Sequence, residues 1–143
     1  MESDNEGQDQ ENENYIELTK EFAEGRAQPC SIIELISLFK NDEKSGVKPL
    51  DDIPVVKATK EYIYLFNKYG INENVANKAY NIRRIFTTED NKFDSYETTS
   101  LVDLVPTTVD EAFSLIPTLK KKENLTQGEM KIFLDALNKE TIT

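Results

Sequence analysis

Four times in this chain a Ser, Thr or Asp stands three residues ahead of a Glu and just before an apolar run. The pairs are Ser31 with Glu34, Asp94 with Glu97, Thr108 with Glu111 and Thr126 with Glu129. At that spacing the first side chain accepts a hydrogen bond from the Glu backbone N–H, and the Glu side chain reaches back to the first residue's N–H. Each such cap contributes roughly 1 kcal/mol where it forms. Four marked helix starts point to a helical fold. Five Gly and five Pro in 143 residues are too few for the many tight turns of an all-β chain.

Apolar residues follow these starts at helical spacing. Ser31 opens a helix through Lys40. Pro54, suited to a first turn, opens a longer one with Val55, Val56, Thr59, Tyr62, Ile63 and Phe66 on one broad face and Gly70 as its stop. Val75, Ala79, Ile82 and Phe86 mark a third, with Ile85 beside them. The helix after Asp94 runs through Leu101, Val102 and Leu104 and ends before Pro106. The one after Thr108 carries Ala112, Phe113, Leu115 and Ile116 and stops at Pro117. The last, after Thr126, bears the stripe Met130, Phe133, Leu134, Leu137. Phe66, Phe86, Phe113 and Phe133 each lie on an apolar face and are expected in the core.

The expected organisation is all-α. A disordered acidic tail covers residues 1–14, an extended arm and short helix 15–40, a flexible polar linker 41–53, and a compact bundle of about five helices 54–143. The tail holds six acids and no base, so the remainder of this −10 chain is only mildly acidic, at −4. That balance disfavours sequence-independent binding to phosphate backbones. Lys120, Lys121 and Lys122 adjoin, and Arg83, Arg84 and Lys78 share a helix. Without interleaved aromatics these read as solvated faces.

The helix from Ser31 to Lys40 is unusual. Ile32, Ile33, Leu35, Ile36, Leu38 and Phe39 spread over roughly 220° of its circumference at 100° per residue, so it calls for enclosure on more than one side. A partner chain could supply that cover, or the helix could cap its own bundle. The partner reading is the one carried forward, with Ile32, Ile36 and Phe39 as anchors. Upstream, Tyr15, Ile16, Leu18 and Phe22 suggest a short extended segment that adds to a partner as a strand.

Catalytic chemistry has few resources here. With no His, neither a Ser-His nor a Cys-His nucleophile system can form. Cys30 stands alone, which excludes an internal disulfide and a multi-cysteine zinc site and suits a reducing compartment. Asn41, Glu43, Ser45, Gly46 and Asp52 fall at calcium-loop spacing, but Lys48 sits where an apolar residue packs and Pro49 follows it; the stretch reads as a solvated linker. The sequon at Asn124 is read as chance. No apolar run approaches the roughly 20 residues of a membrane helix. No catalytic, metal or cofactor residue is expected.

Residues 110–119 read DEAFSLIPTL, and GEMKIFLDALNKE follows about ten residues later. Upstream stand FDSYETTSLVDLVPTTVDEA, KATKEYIYLFNKY with Thr59, Tyr62, Phe66 and Tyr69, and LTKEFAEG. In this order they resemble the fourth-subunit family of RNA polymerase II, in which an acidic helix ends in Leu-Ile-Pro-Ser-Leu before an amphipathic last helix. Thr118 replaces the Ser, and Tyr69 a Phe. Tyr62, Phe66, Leu115, Ile116, Pro117, Leu119, Phe133 and Leu137 carry the likeness and are expected in the core.

The resemblance implies an N-terminal arm followed by an HRDC-like helical domain, the type found at the end of some helicases. It implies a nuclear, non-catalytic stalk subunit paired with the OB-fold seventh subunit on the polymerase core, supporting initiation and nascent RNA handling. The equivalent subunit of RNA polymerase III and a free-standing nucleic-acid-binding helical domain remain alternatives.

Overall fold

The structure is a computed structural model that describes residues 24–25, 27–46, 48, 50–71, 74–88 and 91–141. The acidic tail and Tyr15, Ile16, Leu18 and Phe22 lie outside the described residues. Among the described residues six α-helices follow one another: α1 (Ile32–Lys44), α2 (Pro54–Phe66), α3 (Val75–Phe86), α4 (Ser95–Leu104), α5 (Val109–Leu115) and α6 (Gln127–Glu140). A single 3₁₀ segment, Pro117–Lys121, joins α5 to the last loop. The described residues contain no strand, so the described fold is all-helical.

In all four pairs the capping side chain accepts from the Glu backbone N–H, as the spacing predicts, and two of them close the reciprocal bond. Ser31 Oγ accepts from Glu34 N at 3.3 Å and Thr108 Oγ1 from Glu111 N at 3.1 Å. Asp94 and Thr126 form full reciprocal boxes with Glu97 and Glu129. Glu111 differs. Its carboxylate turns to Thr107, accepting from the backbone N at 3.0 Å and from Oγ1 at 2.9 Å, one residue ahead of the cap.

The core is built from Ile33 and Ile36 of α1, Ile63 of α2, Val75, Ala79, Ile82 and Phe86 of α3, Leu101 and Val102 of α4, Ala112 and Ile116 around α5, Leu119, and Met130, Leu134 and Leu137 of α6. Phe86, Phe93 and Phe133 cluster beside it. Phe133 stacks on Phe86 at 5.6 Å and meets the edge of Phe93 at 4.9 Å. Phe133 and Phe113 are partly buried against this core, and Phe86 is buried.

Helix α1 packs against both α2 and α3. Most of its wide apolar arc is thus covered from two sides by its own chain, while Leu38 stays exposed. This corrects the partner-facing assignment of Ile36, which is fully buried in the chain's own core. Ile32 and Phe39 are half-buried against the same core. Lys60 Nζ sits 5.1 Å over the Phe39 ring. The helix also runs one turn further than expected, because Asn41 to Lys44 stay helical before Ser45 and Gly46 end it. The core does not divide at residues 41–53.

Helix α2 ends at Asn67, whose side chain accepts from Tyr69 N at 3.2 Å and donates to Gly70 O at 2.8 Å. Gly70 takes φ 85, a left-handed geometry that suits glycine. The turn sinks Tyr69, and its hydroxyl donates to Val102 O at 2.6 Å. Val105 adopts φ 44 directly before Pro106, a strained position for a β-branched residue, held because its side chain is buried.

Candidate partner-binding surfaces and the polar network beside them

Helix α2 is amphipathic in sequence, yet among the other helices it packs chiefly against α1. Ile63 is its one buried residue. On its open side stand Val55 at 68% exposure, Tyr62 at 57%, Leu65 at 76% and Phe66 at 51%. Residues 55, 62 and 66 lie within one narrow stripe at 100° per residue, and the Tyr62 and Phe66 rings meet at 4.8 Å. The expectation that Tyr62 and Phe66 belong to the core is therefore corrected. Helical spacing marks the face as apolar, but no residue in the sequence says how many neighbours a helix will have. A contiguous exposed apolar stripe of this kind is a candidate contact surface.

The C-terminal likeness residues also divide. Ile116, Leu119 and Leu137 are buried, as expected. Leu115 and Pro117 are exposed, a second correction. Ala112 and Ile116 take the inward positions one turn apart, and Leu115 falls on the flank. There it lines a groove of about 450 Å³ with Pro117, Thr118 and Lys121 opposite Tyr96, Ser100 and Leu104 of α4.

Beneath that groove lies a polar network that the sequence reading recognised only as a cap. Glu97 is 1% exposed. Its carboxylate accepts from Thr118 Oγ1 at 2.7 Å and Asp94 N at 3.1 Å and pairs with Lys122 Nζ at 2.8 Å. Burial pushes the Glu97 carboxyl up, but the hydrogen bonds from Lys122, Thr118 and Asp94 N and the Lys122 charge outweigh it and hold the group below its ordinary value. Lys122 also donates to Lys92 O at 2.8 Å, and Lys92 pairs with Glu129 at 2.7 Å and donates to Asn124 O. Every oxygen of Glu97 is engaged, so the group clamps α4 to the turn after α5. A Lys122 that reaches Glu97 from 25 positions away leaves no local pattern to read.

A second cross-chain contact anchors α1. Asp103 of α4 accepts from Ile32 N at 2.8 Å, satisfying a first-turn N–H of α1. Burial first, and then the nearby Glu34 charge, raise the Asp103 carboxyl from 3.8 to about 6, against the lowering effect of the Ile32 N–H. The folded chain therefore binds a proton there more readily than the unfolded one. Its contribution to stability is complete below about pH 4 and is lost as pH rises through about 6. Asp103→Asn is expected to remove that part of the pH dependence, read from urea midpoints between pH 4 and 7. An unchanged slope would show that Asp103 does not titrate as described.

Several basic residues are paired within the fold. Lys78 pairs with Glu140 at 3.3 Å, Arg83 with Glu34 at 3.8 Å and Lys122 with Glu97. Arg84 lies beside the Tyr80 ring at 5.9 Å. Among the described residues no group of three or more His, Cys, Asp or Glu side chains is placed to hold a metal, and no buried side-chain nitrogen or oxygen lacks a partner. No helix among them is long and apolar enough to cross a membrane.

Comparison with protein-family models finds no match to this chain, and comparison with curated proteins finds none either.

Proposed function

We propose that this chain is a non-catalytic assembly subunit, the helical partner of an OB-fold stalk protein on nuclear RNA polymerase II. The observation that carries this reading is the open apolar face of α2. Four large side chains stand half or more exposed there, on a helix anchored to the core through Ile63. Interfaces favour such clusters of aromatic and aliphatic side chains. The ordered likeness to the polymerase fourth-subunit family supplies the kind of partner. The engagement of Glu97, Lys78, Arg83 and Lys122 within the fold supports a scaffold over a nucleic-acid binder. In this reading Tyr15, Ile16, Leu18 and Phe22 extend the same contact.

The test is co-purification with the tagged full chain, with the bound proteins identified by mass spectrometry. Leu65→Glu with Phe66→Glu is expected to reduce recovery of an OB-fold partner at least about tenfold, while costing about 1–2 kcal/mol of stability, since both residues stand half or more exposed but the new carboxylates meet the negative end of α2. Recovery of the same partner at wild-type level would overturn the role of this face. Recovery of polymerase III subunits would move the chain to that assembly.

A further inference from the structure

The groove between α4 and the turn after α5 shares no lining residue with the α2 face. Tyr96, Ser100 and Leu104 stand four residues apart and form one stripe of α4, with Leu115, Pro117 and Lys121 opposite. The walls are mainly apolar, and Ser100 and Tyr96 add hydroxyls. Lys121 is the one charged residue among those lining the groove. Lys122 is taken by Glu97, whereas Lys120 and Lys121 form no ion pair with any described residue. An apolar trough with an unpaired lysine at its rim is thus set on a body that, beyond residue 14, carries only −4.

We propose that this groove docks an acidic, apolar peptide segment of another protein. Two or three aliphatic or aromatic side chains enter between Leu104 and Leu115, and a flanking Asp or Glu meets Lys121 and Lys120. The charge pattern selects this occupant. Lys121 at the rim and the adjoining Lys120 attract an acidic flank, and the apolar walls take the side chains beside it, so together they set the place and register. A basic or neutral peptide gains nothing at this rim. The proposal stands apart from the polymerase reading, and groove variants leave the α2 face intact.

To test it, the full chain is offered a displayed library of random peptides of about twelve residues, long enough at ~3.3 Å per residue to cross the groove. Selected peptides are then titrated into isotope-labelled chain and mapped by amide shifts. The expected binders are rich in Asp and Glu around Leu, Phe or Tyr, and they shift Ser100, Leu104, Leu115 and Lys121. Lys121→Glu is expected to weaken them about three- to tenfold at low salt. Leu115→Asp abolishes binding, with an unchanged thermal melt because Leu115 is exposed. Failure to select any binder, binders without acidic bias, or shifts that map to another face would each overturn the proposal. So would groove amides that already contact the chain's own residues 1–22, which would make that segment the occupant.

Discussion

Replacing Glu97 with alanine is expected to lower the unfolding free energy by about 3 kcal/mol, the low end of the cost of breaking a buried ion pair. The carboxylate holds three groups at once: Thr118 Oγ1, Lys122 Nζ and Asp94 N. Without it Lys122 keeps Lys92 O and is partly exposed, so the lysine can relax toward water, which limits the loss. For a fold of this size the melting temperature falls by roughly 10 °C. Glu97→Gln preserves part of the hydrogen bonding and should lie between. The pH dependence has the opposite sign from that of Asp103. Glu97 is held below its ordinary value, so its contribution is present above the unfolded pKa and is lost as pH falls through the lower folded one. A melt of the alanine variant within two or three degrees of wild type would show that the clamp does not matter.

Ile36→Ala is expected to cost about 3 kcal/mol in the isolated chain, within the usual range for emptying a buried aliphatic site. The side chain has no exposed surface and lies in the core shared by α1, α2 and α3. This variant separates two arrangements of α1. Were Ile36 turned toward a partner, the isolated chain would lose almost nothing and only the complex would weaken. Leu38→Ala is the control. Leu38 is exposed on the same helix, and its loss should change stability by less than about 0.5 kcal/mol. Equal small effects for both variants would refute the enclosure of α1 by its own bundle.

Helix starts were the most legible feature. Ser31, Asp94, Thr108 and Thr126 each cap where their spacing to Glu predicts, since a cap needs only residues within one turn. The stripes of α3 and α6 were equally readable, because a residue every three or four positions defines one side of a helix. The candidate surfaces were less so. The spacing points Tyr62 and Phe66 inward, yet they stand outward, and Ile36, expected at a partner, lies at the centre. Periodicity identifies an apolar side but carries no information about which neighbour, if any, covers it. The Lys122 bond to Glu97 and the Asp103 bond to Ile32 N join residues 25 and 71 positions apart, beyond the reach of any local pattern.

By itself, the sequence determined an all-helical chain, most helix boundaries and the inward residues of α3 and α6, because these follow from hydrogen bonds and side-chain directions within a few residues. Only the tertiary structure decided that α1 is sheltered by α2 and α3, that α2 leaves Val55, Tyr62, Leu65 and Phe66 uncovered, and that Glu97 is a buried clamp. Those outcomes depend on how helices distant in the chain come to share a boundary, and burial is a property of that arrangement rather than of any one segment.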